Sequence, residues 1–357
     1  MGRRSRDPGE VHGILLVDKP VGPTSHDLVD WVRRSLRVRR VGHCGTLDPA
    51  ASGLLVIAVG VATRVVPLLT EVDKRYRATI LLGVRTDSGD LEGAVIERAS
   101  VAPAIVDQVP GVAEALVGDH MLPPPVYSAI KVDGERAYDR ARRGEIFDLD
   151  ARPMSVLAVE DVGTSIDARG PLLTLTLTVS KGTYIRTLAE ALGARLGVPA
   201  CLAGLRRLSA GALSVEDPRA LHPGAERRVE SEPKPGHPVR WDIALKSEDP
   251  RESLARGLIP IDEAVGLPTF TVDLASDALR RLEQGQPLPC AALPEQPERA
   301  LEVGAVVAVV ARGHDLRLRR WILTSVASPD GASGGLLLRP QRVLRLPDAI
   351  DNSPPSA

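Results

Sequence analysis

Residues 41–59 read VGHCGTLDPAASGLLVIAV, and the two halves of this stretch ask for different things. Residues 52–59 form an apolar run of the length of a buried strand. The half before it is polar and punctuated by glycine. Asp48 stands between Gly45 and Gly53 and directly before Pro49, whose ring confines the preceding backbone to extended conformations. A carboxylate held that way suits a fixed chemical role, although an Asp-Pro pair serves equally as an ordinary turn cap. His43 reads either as a loop histidine or as part of the same site. A metal centre is disfavoured, since no second His, Cys or carboxylate follows at ligand spacing.

Working outward, residues 13–25 read GILLVDKPVGPTS: a strand, a Lys19-Pro20 turn, a glycine and a helix start. Ser25 is the expected N-cap of a helix whose Leu28, Val29, Val32 and Leu36 share one face. The spacing of a phosphate loop is absent, and a tight strand-to-helix connection accounts for the segment by itself. In residues 76–82 the alternate positions Tyr76, Ala78, Ile80 and Leu82 predict a strand with Tyr76 on its apolar face. Residues 126–132 and 172–179 also read as strands. Residues 180–188, SKGTYIRTL, run from a strand into a helix over 183–196 with Ile185, Leu188, Leu192 and Leu196 on one face. Arg186 falls in its first turn, where the helix dipole disfavours a cation. Such an arginine is either a surface residue or one that requires a carboxylate partner.

The 357 residues exceed the size at which one core usually stops growing, so two domains are expected. Hydrophobic residues at 43% and charged residues at 25% describe an ordinary globular protein, with no apolar run of membrane-spanning length. The net charge of -1 carries no basic excess, but arginines cluster at 33–40 and 142–143, and a local basic face suffices for nucleic acid. Cys44, Cys201 and Cys290 are odd in number and far apart, which excludes a disulfide framework and fits the cytoplasm. Residues 217–256 are rich in Pro, Glu, Arg and Ser. They are expected to be a mobile polar insertion with little fixed structure, dispensable for chemistry.

These segments together resemble the TruB-type tRNA pseudouridine synthases. The motif residues are Asp18–Ser25 (DKPVGPTS), Gly45–Gly53 (GTLDPAASG), Asp73–Tyr76 (DKRY) with Thr86, Asp87, Asp90 and Gly93 after it, Pro124–Lys131 (PPVYSAIK), Lys181–Leu188 (KGTYIRTL) and Leu205–Leu208 (LRRL). They run in register from about residue 13 to 213. The resemblance implies an α+β pseudouridine synthase fold with a central mixed, mostly antiparallel sheet, and a small, mainly β, PUA-like RNA-binding domain at the C-terminus. Taken with the composition, which supplies the tails and an insertion longer and more polar than the family's usual connector, it divides the chain into a flexible tail (1–10), a catalytic domain (11–216), the insertion (217–256), the PUA-like domain (257–348) and a disordered tail (349–357).

The resemblance also assigns roles. Asp48 matches the catalytic aspartate and Arg186 the arginine paired with it. Tyr76 matches the aromatic packed on the target base, and His43 the histidine that displaces that base from the T-loop. Tyr184 and Leu205 match further lining of the uridine pocket, which the motif of Lys19 and Pro20 braces. The implied reaction isomerises uridine 55 in the T-arm of tRNA, needs no cofactor, and is carried out by a monomer without guide RNA. A single carboxylate has three routes: attack on C1′, attack on C6, or removal of the ribose 2′ proton. Tyr138 is read as a core tyrosine. An RNA glycosidase is the nearest competing activity, but glycoside hydrolysis ordinarily takes two placed carboxyl groups and only Asp48 stands out. An RNA chaperone on the same fold is the competing non-enzymatic role, and the intact set of Asp48, Tyr76 and Arg186 argues against it.

Overall fold

The computed structural model describes residues 11–128, 130–132, 134–143, 145, 147, 149–228, 239–273, 275–293, 302–312, 318–327 and 336–345. Both expected tails, and residues 229–238 of the insertion, lie outside them. In chain order the catalytic part holds β1 (Gly13–Lys19), α1 (Ser25–Leu36), β2 (Val41–His43), β3 (Ala51–Val59), α2 (Val66–Thr70), β4 (Lys74–Leu82), β5 (Val84–Thr86), β6 (Val95–Arg98), α3 (Pro103–Glu114), β7 (Gly118–Leu122), β8 (Lys131–Val132), β9 (Glu135–Arg136), α4 (Ala137–Arg142), β10 (Arg152–Asp167), β11 (Gly170–Val179), α5 (Ile185–Arg195), β12 (Ala200–Ala210) and β13 (Leu213–Ser214). There follow β14 (Gly224–Arg227), β15 (Trp241–Ala244), α6 (Pro250–Arg256) and α7 (Ile261–Val265). The chain ends with β16 (Thr269–Thr271), α8 (Asp277–Glu283), β17 (Leu288–Pro289), β18 (Val306–Arg312), β19 (Leu318–Ala327) and β20 (Leu337–Arg345).

Among the described residues nine strands make one sheet in the order β1-β3-β12-β4-β11-β10-β7, with β2 added on β3 and β13 on β12. Only β3 and β12 run parallel, so the sheet is mixed and mostly antiparallel as expected. The apolar run of β3 has both faces covered. Leu54, Val56 and Ala58 face one core with Ile14 and Leu16, while Leu55, Ile57 and Val59 face another with Leu28, Val29 and Val32 of α1. A strand buried on both faces must be apolar at every position, hence its unbroken run. Tyr76, Ala78, Ile80 and Leu82 of β4 share a third core with Leu188 and Leu192 of α5.

Three local expectations change. The N-cap of α1 is Thr24, which forms a capping box with Asp27. Ser25 is buried, and its hydroxyl exchanges hydrogen bonds of 2.9 Å with both the N–H and the carbonyl of Leu47. Residues 126–128 join no ladder, and strand structure there is confined to Lys131–Val132. Pro123, Pro124 and Pro125 just before them have no N–H to donate to a sheet. The described residues of the insertion, 217–228 and 239–256, carry fixed structure. Leu221 pairs with β1 through hydrogen bonds of 2.8 Å, β14 and β15 form a hairpin, and Leu254 of α6 is fully buried among the side chains of α1.

The C-terminal sheet, β16-β18-β19-β20-β17, is the small, mainly β domain that was expected, but it starts at Thr269 rather than 257. Ile259 pairs with Ile14 through hydrogen bonds of 2.9 and 2.8 Å, and Ile261 and Ala264 enter the core around Ile14 and Leu16. Alternation along β18 serves two cores. Val307, Val309 and Ala311 pack with Phe270 and Leu282 inside the small domain, whereas Ala308 and Val310 join Trp321, Leu323 and Leu344 in the core around Ile14 and Leu16. A chain cut after residue 268 would therefore uncover several apolar side chains. At about 1.5–3 kcal/mol each, their loss is comparable with a net stability of about 5–15 kcal/mol. The truncated protein is expected to be insoluble or unfolded, as scored by circular dichroism and thermal melting. A truncated form with an unchanged melt would show that the shared core contributes nothing. Among the described residues, no helix is long and apolar enough to cross a membrane.

Candidate active site

The ends of β4, β11 and β12 and the start of α5 surround a cavity of about 780 Å³. The loop before β3 supplies Gly45, Thr46, Leu47 and Asp48 to its wall, and Leu205 and Arg207 come from β12. Tyr76, Tyr127, Tyr138 and Tyr184 also line it. These are all four tyrosines of the chain. Tyr138, expected in the core, instead meets Tyr127 edge-on with ring centroids 6.4 Å apart.

Asp48 is half-exposed toward this cavity, and its Oδ2 lies 3.3 Å from Nη2 of the buried Arg186. The guanidinium is fixed from several sides. Its Nη1 donates to the Ser88 carbonyl at 3.0 Å and its Nη2 to the Tyr127 carbonyl at 2.9 Å. Nη1 also lies 3.6 Å from Oδ2 of the buried Asp90. The cation placed in the first turn of α5 thus has two carboxylates, which offset both its burial and its place at the positive end of the helix. Asp90 is itself held, accepting from the Ser88 hydroxyl at 2.6 Å and the Glu92 N–H at 3.1 Å. Burial and the negative charges of Asp90 and Asp48 push the Glu92 carboxyl upward.

The loop carrying Asp48 is clamped through its main chain. Lys19 is fully buried, and its Nζ donates to the carbonyls of Pro20 at 3.0 Å, Pro49 at 3.3 Å and Ala51 at 2.7 Å. Burial pulls the Lys19 ammonium down to about 8, against the opposing pull of Asp48. Arg207 grips the loop through other carbonyls: Leu54 at 2.6 Å, Gly45 at 3.1 Å and Thr46 at 3.4 Å. Gly53 has a positive φ of 98°, and a Cβ there would collide with the backbone of Arg207, so only glycine lets β3 and β12 approach this closely.

The residues singled out in the sequence therefore separate into groups. Asp48, Arg186, Tyr76, Tyr184 and Leu205 meet at the cavity. Lys19 reaches the loop behind Asp48 rather than the cavity wall. His43 stands apart from the lining, on β2 opposite Ile57, and burial, followed by the charges of Arg207 and His26, lowers its basicity. Tyr184 precedes α5, and burial raises its phenol. The sequence reading missed Asp90, Arg207 and Tyr138 as site residues. Arg207 had a legible signal: it lies two residues after Leu205 on a strand, so both point to the same face. Asp90 had none beyond its place in a motif.

Residues 33–185 match the family model described as "TruB family pseudouridylate synthase (N terminal domain)". Two curated proteins named "tRNA pseudouridine synthase B" align over most of their length. The one from Ralstonia nicotianae is 38% identical over 281 residues, covering 78% of this chain and 82% of that protein. The one from Ralstonia pickettii is 34% identical over 344 residues, covering 94% and 95%. Among solved structures, a Cbf5-Nop10-Gar1 complex contains a chain that superposes with a TM-score of 0.63 at 24% identity, over 93% of this chain and 84% of that one. That likeness speaks to the fold alone. A near-complete alignment with synthases, and a family match that spans the Asp48 loop and runs up to α5, place the chain in the TruB family of pseudouridylate synthases.

Proposed function

We propose that this isomerase acts on tRNA without a guide RNA, converting uridine 55 of the T-loop to pseudouridine with Asp48 as its catalytic carboxylate. The observation that carries the proposal is the pairing of Asp48 with the fixed Arg186 on the wall of a cavity that gathers every tyrosine of the chain. The names of the relatives supply the tRNA substrate. The reaction breaks the bond from ribose C1′ to base N1 and forms one from C1′ to C5. N1 gains a proton and C5 loses one, so no electron acceptor or group donor enters the balance. One carboxylate serves any of its three routes, and the Lys19 and Arg207 clamps hold it where the sugar arrives.

Reaching the uridine requires its extrusion from the stack, at a cost of a few kcal/mol. Stacking on an aromatic returns roughly 1–3 kcal/mol per base, a role for Tyr76. Tyr184 and Leu205 bound the rest of the base pocket. His43 fills the vacated place in the T-loop, which accords with its position outside the cavity. His43→Ala is then expected to slow conversion moderately on folded tRNA and less on an unstructured RNA carrying the same uridine. Equal losses on both substrates would give His43 a direct part in the chemistry instead. The overall reading is tested by incubating the pure protein with an unmodified tRNA transcript and mapping pseudouridine by chemical modification. Uracil release, or no pseudouridine at position 55, would overturn it.

A further inference from the structure

The turn from β1 to α1 holds the catalytic loop on both sides of Asp48. Ser25 takes both main-chain groups of Leu47, and the Gly22 N–H donates to the Pro49 carbonyl at 2.8 Å. Gly22 has a positive φ of 113°, which by itself favours glycine, and a second reason lies outside the catalytic core. A Cβ at Gly22 would overlap Cη2 of Trp241 and come within 2.7 Å of Cζ2 and 2.9 Å of Cζ3. The six-membered ring of this half-buried indole is therefore packed against the Gly22 backbone.

Trp241 is delivered by the polar insertion. It opens β15 opposite Arg227 of β14. Further along β15, Ile243, followed by Leu245, packs against the core that contains Val17 and Leu28. Leu221, just before the hairpin, is bonded to β1 at Leu16 and Asp18. The hairpin is thus anchored to the edge strand that leads into the turn, and its indole closes over the turn itself. The chain of contacts is short: indole to Gly22, Gly22 N–H to Pro49, and Pro49 to Asp48.

We propose that Trp241 is a positioning residue, through which the paired strands β14 and β15 hold the Gly22 turn against the Asp48 loop. It rests on Asp48 being the catalytic carboxylate. Trp241 is not among the residues that line the cavity, so its contribution belongs in the rate of the chemical step and not in tRNA affinity. A displacement of about 1 Å in a catalytic group costs roughly a hundredfold in rate. The turn keeps its Ser25 and Lys19 bonds, so we expect a loss nearer tenfold for Trp241→Ala.

The test is single-turnover pseudouridine formation at saturating tRNA, with tRNA Kd measured separately, on wild type, Trp241→Ala and Trp241→Phe. Positioning predicts a rate constant lowered about tenfold in Trp241→Ala at an unchanged Kd, largely restored by Trp241→Phe, which keeps a ring on Gly22. Replacing residues 224–244 by a short Gly-Ser linker should reproduce the Trp241→Ala loss. If Trp241→Ala does not fold, the linker variant and Trp241→Phe decide: wild-type rates in the linker variant, or equal rate losses in both, overturn the proposal. A folded Trp241→Ala protein with an unchanged rate constant overturns it too. So does a loss confined to Kd, which would make the hairpin an RNA contact. An inactive wild type would instead strike at the reading of Asp48.

Discussion

Asp48→Asn is expected to reduce pseudouridine formation to background while leaving tRNA bound. The substitution keeps the size of the side chain and most of its hydrogen bonding, and removes the charge and the nucleophilic oxygen. All three routes open to a carboxylate fail without it. Affinity should stay within about threefold of wild type, because binding to RNA rests mainly on phosphate contacts and bases held elsewhere. Stability should change little, since Asp48 is half-exposed and Arg186 keeps Asp90 and two carbonyls as partners. The comparison requires a thermal melt beside the single-turnover assay. A folded Asp48→Asn protein that still isomerises uridine in tRNA would remove Asp48 from the chemistry and leave the cavity without its reactive group.

Arg186→Met is expected to damage both activity and fold. Arg186 is buried and satisfies Ser88, Tyr127, Asp90 and Asp48 at once. Methionine leaves the Asp90 carboxylate buried without its cation and two carbonyls without their donor. Removing one partner from a buried ion pair costs about 3–5 kcal/mol. The half-exposed Asp48 can regain water, so a loss near the lower end, about 3 kcal/mol, is expected in the urea midpoint. The rate at saturating tRNA should fall by roughly a hundredfold or more, the scale of a lost preorganised electrostatic contact. Arg186→Lys should recover part of the stability but little of the rate, since an ammonium cannot span Asp48 and Asp90 as the guanidinium fork does. A fully active Arg186→Met protein would make the Asp48 pair incidental.

What was legible in the sequence was local. The alternation of Tyr76, Ala78, Ile80 and Leu82, the unbroken apolar run of β3 and the helical spacing from Ile185 to Leu192 each report a repeat within one element, and each element formed accordingly. The Asp48 loop announced itself because its glycines and proline constrain backbone that lies within a few residues of the carboxylate. The demand of Arg186 for a carboxylate was also local, since it followed from the dipole of its own helix. Its pairing with Asp48 was given only by the family resemblance, and Asp90 was not foreseen. Asp90 reaches it across a separation of 96 positions, which no periodicity encodes.

The same limit explains the other departures. Arg207 grips the Leu54 carbonyl, 153 positions earlier in the chain, only because β12 runs parallel to β3. Tyr138 and Tyr127 converge with Tyr76 and Tyr184 only once the chain has closed around the cavity. Composition gave no sign of the structure in the described parts of residues 217–256, because it counts how much apolar surface a segment owns and cannot see the surface waiting for it. A few residues, Leu221, Trp241, Ile243 and Leu254, suffice to order the described part of the segment against β1 and α1, whose outer faces are already built. The shared core is a case of the same kind. β18 is apolar at nearly every position, but only the docking of its second face on Ile14 and Leu16 joins the small domain to the larger one.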